Sequence, residues 1–99
     1  HADALRLTHA QRQALHAQMS AMRARAQAQG ERVIAAERAL DRLFAERRAT
    51  PDAVRAATLA VAAAQGELRA IHLVTHLETV ATLTPEQVAQ YDRLRGYRR

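Results

Sequence analysis

The sequence predicts an all-α protein built on a long antiparallel helical hairpin, one domain over residues 1–99. Three observations predict it. Alanine makes up about a quarter of the chain, while glycine and proline number only 3 and 2, the profile of long helices packed through small side chains. Apolar residues recur every seven positions through two long blocks. Threonine-led signatures at Thr8, Thr50 and Thr84 mark helix starts.

The first block places Met19, Ala26, Val33 and Leu40 seven apart, with Leu15, Met22, Ala36 and Leu43 interleaved. This seam predicts a helix from about His9 to Arg47, interrupted in its apolar stripe at Gln29 and Gly30. Met19 and Met22 fall on it and read as core fillers. The segment Arg47–Thr50 is short enough to force the next helix antiparallel to the first. Thr50 is a good N-cap, and Pro51 suits the first helical position because its missing N–H would be unpaired there anyway. Val54, Val61 and Leu68 then form a second seam, with Ala57, Ala64 and Ile71 between them. Leu73, Leu77 and Val80 lie on a different face, which the last helix or a second subunit must cover. The expected assembly is therefore a homodimer. A short final helix runs from Pro85 to about Arg95.

Composition narrows the function. The net charge is +5, every basic residue is arginine, and those arginines are spread among ten acids. Three dispersed aromatics offer no stacking platform for single strands, so the basic residues read as a solvated face and no nucleic-acid partner is expected. The longest apolar run, Leu59–Ala64, is far short of the roughly 20 residues that cross a membrane. Without cysteine there is no disulfide, thiolate metal site or thiol nucleophile. No Ser-His-Asp order, phosphate loop or carboxylate pair can be assembled, so no enzyme is expected.

Two short stretches repeat. Leu7-Thr8-His9-Ala10-Gln11 and Leu83-Thr84-Pro85-Glu86-Gln87 each place a glutamine at the third helical position after a capping threonine. That is the spacing of a capping box, in which the glutamine reaches back to the threonine N–H. Leu83 and Val88 are also spaced as a hydrophobic staple.

A Leu-Thr-x-x-Gln near each end of a helical chain of this length resembles the Spy/CpxP family of periplasmic proteins, with its ZraP and CnrX heavy-metal branch. The residues from Thr50 to Leu68 and from Leu73 to Leu94, including Gln90–Arg93, are most similar to CnrX-type metal sensors. The resemblance implies a hooked four-helix hairpin that dimerises in the periplasm and detects or buffers divalent metal. It also implies control of a membrane-bound anti-sigma factor, with any signal peptide or anchor lying before His1. Aligned on Gly66 and Leu83, the sensors' histidine and methionine ligand positions fall at Thr75 and Thr79. Their first-helix carboxylate falls near Met19, and an upstream histidine pair falls at or before His1.

This chain's own candidates are its histidines. His72 and His76 lie four apart on one helix face, a spacing at which two imidazoles can take adjacent positions on one metal ion. Antiparallel pairing brings His16 to their neighbourhood. A site of His72, His76 and His16 would take nickel, cobalt, zinc or copper(II), with copper(II) tightest by the Irving–Williams order. Imidazole must be neutral to coordinate, so affinity falls as the medium turns acidic. With the roles that the resemblance implies, two functions are expected: a periplasmic metal sensor or buffer in heavy-metal resistance through these histidines, or a Spy-like chaperone or adaptor holding unfolded clients on Leu73, Leu77 and Val80.

Overall fold

The structure is a computed structural model that describes residues 5–96. It is all-helical, with no strand among the described residues. Helix α1 spans His9–Ala45, α2 spans Pro51–Thr82 and α3 spans Pro85–Leu94. All three begin one residue after the threonines expected to cap them. A fourth flanking helix ahead of Thr8, and the upstream histidine pair, would fall largely on residues outside those described.

Each start has its local cause. At α2 the Thr50 Oγ1 accepts from the Ala53 N–H at 3.1 Å, and Asp52 places a negative charge in the first turn, where the helix dipole favours it. Alanine at the third position returns no bond, so this cap is one-sided. The starts of α1 and α3 are two-sided, and they are described below with the motifs that form them.

The end of α1 explains the short linker. The Arg48 N–H donates to Leu43 O at 2.8 Å and the Arg47 N–H to Phe44 O at 3.2 Å. This is the paired bonding of a Schellman stop, which requires a left-handed residue between the helix and the next segment. Here that residue is Arg47, at φ 56°. A Cβ in this region is strained, and glycine is not. Arg47→Gly is expected to stabilise the protein by about 1 kcal/mol, read as a rise of about 4–8 °C in Tm. A Tm unchanged or lowered would mean that Arg47 makes a compensating contribution through its side chain.

The chain divides into two compact units, and both long helices contribute to each. In the unit Arg23–His72, the expected seams are half-buried at Ala26, Val33, Leu40, Val54, Ala57, Ala64 and Leu68, and Val61 is buried. Gln29 departs from the sequence reading. It is not an interruption: it lies seven residues after Met22 and seven before Ala36, and it is buried. Its Nε2 donates to Ala64 O at 3.0 Å, and its Oε1 accepts from Arg32 at 3.1 Å. An amide can occupy a packed seam when both of its ends are satisfied, and alanine's small side chain leaves the Ala64 carbonyl within reach.

The other unit comprises the described residues of His1–Met22 and Leu73–Arg99. Leu5 and Leu83 supply its buried apolar side chains, and Thr75 and Asp92 are its buried polar ones. Gln18 and Thr82 join α1 to α2 here: Gln18 Nε2 donates to Thr82 Oγ1 at 2.8 Å. Thr82 Oγ1 in turn donates to Glu78 O at 2.9 Å. Met19 is 42% exposed and so is not the core filler that its heptad position suggested. Leu73 and Leu77 are 52% and 66% exposed, and only Val80 of the late apolar line is half-buried. Helix α3 therefore does not cover that face.

Candidate functional site

The repeated Leu-Thr-x-x-Gln stretches form one structure. In the first, the Gln11 N–H donates to Thr8 Oγ1 at 3.1 Å and the Thr8 N–H donates back to Gln11 Oε1 at 2.9 Å. In the second, the Gln87 N–H donates to Thr84 Oγ1 at 3.2 Å and the Thr84 N–H to Gln87 Oε1 at 2.9 Å. Both are complete capping boxes, and each occupies only one side of its glutamine amide.

The other side of each amide faces the opposite motif. Gln11 Nε2 donates to Gln87 Oε1 at 2.7 Å and to Thr82 O at 3.2 Å. Gln87 Nε2 donates to Gln11 Oε1 at 3.2 Å and to Leu5 O at 3.1 Å, with Arg6 O at 3.4 Å. Each glutamine thus caps its own helix, pairs with its twin, and holds the chain entering the other's helix. The backbone N–H groups at Thr8 and Thr84 demand an acceptor, and the carbonyls at Leu5 and Thr82 demand a donor. This fixes which amide atom is oxygen and which is nitrogen.

The LTXXQ motif family model covers residues 1–95. The chain belongs to the LTXXQ motif family. It is the family of Spy/CpxP-like periplasmic proteins, non-enzymatic and typically periplasmic. Comparison with curated proteins and with solved structures returned no significant match. Among the described residues no helix is long and apolar enough to cross a membrane.

In this family member the candidate histidines sit in three different settings. His72 is exposed, and its Nδ1 lies 2.9 Å from Leu68 O, one turn back on α2. A carbonyl only accepts, so in this contact Nδ1 carries the proton. His76 is half-buried and stacks on Tyr91 of α3, with ring centroids 5.6 Å apart and planes at 28°. Its Nδ1 lies 3.4 Å from the Tyr91 hydroxyl. The same hydroxyl accepts from Arg95 at 3.0 Å, and the Arg95 guanidinium lies 5.6 Å from the ring centroid. His16 lines a cavity of about 650 Å³ that Thr79 and Tyr91 also line. Among the described residues no three His, Cys, Asp or Glu side chains stand close enough together to hold a metal ion. The sensor positions carried over by resemblance are Thr75, which is buried, and Thr79, which is half-buried.

Sequence reading missed the pairing of the two glutamines and the stack of His76 on Tyr91. The only signal for the first was the repetition itself. For the second there was none, since 15 residues and a helix break separate the partners.

Proposed function

We propose that the chain is a Spy/CpxP-like chaperone or adaptor that holds apolar stretches of unfolded polypeptide in the periplasm. The observation that carries this reading is the exposure of Leu73, Val74 and Leu77, each more than half open to solvent on consecutive turns of α2. Surfaces that keep several large apolar side chains together in water mark interaction sites. Arginine as the only basic residue adds guanidinium groups that bind acidic and aromatic side chains of a client. Suppression of aggregation of a chemically denatured model client, followed by light scattering, tests the reading. The wild type is expected to suppress scattering, and a Leu73→Ser, Leu77→Ser variant to lose more than about half of that effect while keeping its helical melt, since these exposed positions contribute little to folding. Equal suppression by both proteins rejects it. A homodimer closing on the same face would compete with clients, so suppression should weaken as protein concentration rises through the dimer's dissociation constant.

The second reading is divalent metal binding in a heavy-metal resistance response, and the tautomer of His72 favours it. A metal-ligating imidazole characteristically donates its other N–H to a carbonyl or carboxylate, as His72 does to Leu68. His76 is the proposed co-ligand; with His16 the pair forms no three-ligand cluster among the described residues. Water or a second subunit would complete the set, with nickel, cobalt, zinc or copper(II) as the ion. Likeness to CnrX-type sensors, with release of an anti-sigma factor as the output, supports the same reading. Calorimetric titration of the wild type and a His72→Ala, His76→Ala variant with each metal separates the two readings. Heat from the wild type alone is expected. Equal heats, or none, leave the client-binding reading standing by itself.

A further inference from the structure

Helix α2 carries a further apolar seam on the side turned away from its packed face. Val61, Leu68 and Thr75 lie seven apart on the packed face, where Val61 and Thr75 are buried. Leu59, Ala63, Gly66, Ala70, Leu73 and Leu77 follow one another at alternating steps of four and three residues. On a helix that is the spacing of a coiled-coil seam, and it falls opposite Val61 and Thr75. Ala70 is half-buried and the other five are exposed, the three leucines more than half open to solvent. The helix is unbroken from Pro51 to Thr82, so the spacing belongs to one element.

Two features say what this face fits. Its centre is small, and a Cβ placed on Gly66 would meet no atom within 4 Å. Glycine weakens a helix interior, and no contact within the chain requires it here; a gap between leucines admits a large side chain from a facing helix. The edges are charged. Arg55 and Arg69 lie along one edge of the seam and Glu67 along the other. Arg55 is paired with Asp52 at 3.6 Å, whereas Arg69 is exposed and makes no ion pair among the described residues. A second copy would bring the same net charge of +5 and a second Arg69 to this face. An extended peptide presents alternate side chains, which do not keep step with fours and threes. We propose that the back of α2 binds an amphipathic helix of a partner polypeptide, apolar at heptad spacing and acidic along the edge that meets Arg69, with a large side chain seated over Gly66. The proposal rests on the client-binding reading at Leu73 and Leu77 and narrows the client to a helix read through its i, i+3, i+4 and i+7 side chains.

The experiment titrates the full chain with a synthetic peptide of about three heptads, carrying leucine on the seam and glutamate along one edge. Affinity is followed by fluorescence anisotropy and peptide helicity by circular dichroism, at concentrations where the free peptide is monomeric and unfolded. A scrambled peptide of the same composition and a lysine-edged peptide are the other probes. The wild type is expected to bind the glutamate-edged peptide and make it helical, and to bind the scrambled one at least about tenfold more weakly. Arg69→Glu should reverse the order of the glutamate- and lysine-edged peptides. Gly66→Leu should weaken peptide binding at least about tenfold by filling the gap. Its Tm should not fall, because leucine is the better helix former and the space around Gly66 is open. A Gly66→Leu protein that binds as well as wild type, or better, overturns the proposal, since simple apolar adhesion gains from an added leucine. Equal binding of the scrambled peptide, or binding without helix formation, also overturns it. A dimer that Gly66→Leu dissociates, with no peptide bound, assigns the face to a second copy and overturns it too. Failure of peptide binding while client scattering is still suppressed rejects this proposal alone. Equal suppression by wild type and the Leu73→Ser, Leu77→Ser variant rejects the reading on which it rests.

Discussion

Replacing Gln87 with glutamate is expected to destabilise the protein by about 1–3 kcal/mol at neutral pH, although glutamate at this position is as good a capping-box residue as glutamine. A carboxylate would still accept from the Thr84 N–H and would suit the positive end of α3. It has no hydrogen to give to Leu5 O or Gln11 Oε1, which the Gln87 amide now serves at 3.1 and 3.2 Å. The substitution would set an anion against two acceptors. The gap to wild type should narrow as the pH falls towards about 4, because a carboxyl group set against acceptors protonates above its usual range and can then donate again. Alanine at the same position removes the cap and the clasp together, and a loss of about 2–3 kcal/mol is expected. In a double-mutant cycle by urea denaturation, Gln11→Ala and Gln87→Ala should show a coupling of about 1 kcal/mol, the mark of residues that share bonds. A Gln87→Glu protein as stable as wild type, or additivity of the two alanine variants, would reduce the motifs to independent helix caps.

The other large effect is expected at Leu83. It is 9% exposed, sits where α2 ends with its N–H on Val80 O at 3.2 Å, and directly precedes the cap of α3. Leu83→Ala should cost about 2–3 kcal/mol, from the lost transfer free energy and the cavity left behind. With so few buried apolar side chains, the unit has little left to collapse around the gap. The loss should appear first as faster amide exchange along α3, because release of Leu83 frees the segment that carries Gln87. Leu73→Ala, the same chemistry at a position 52% exposed, is the control and should stay within about 0.5 kcal/mol. Equal losses at the two positions would show that exposure in the single chain does not report the environment of Leu73, and would point to a partner covering it.

The late apolar line gives the two units different work. Burial in the unit Arg23–His72 follows the heptads closely, and its one surprise, Gln29, is satisfied within that unit by Ala64 and Arg32. The unit that carries the motifs leaves Met19 of its heptad seam exposed, together with Leu73 and Leu77 of the separate apolar line, and it also holds the cavity and the histidine–tyrosine stack. Departures from pattern and candidate binding features therefore fall together, as expected where a surface is kept open for something other than folding.

The sequence by itself determined what is decided within about four residues. Helix starts at Thr8, Thr50 and Thr84, and the seams that face inward in the unit Arg23–His72, follow from capping bonds and from a period of 3.6, whereas the first helix ends at Ala45, two residues before the expected Arg47. Family membership belongs with these, since the motifs that carry it are themselves local. Tertiary structure alone decided what the spare half of each glutamine amide does. A capping box leaves one side of the amide open, and nothing within four residues says whether water or protein will fill it. Gln11 and Gln87 are 76 positions apart, and only closure of the chain places each as the other's partner. The same closure, joining segments from opposite ends of the sequence, puts Tyr91 under His76 and brings Arg12 and Arg95 to one cavity. Local pattern records which side chains leave solvent, but which polar atoms then meet is set by geometry between segments that the pattern does not connect.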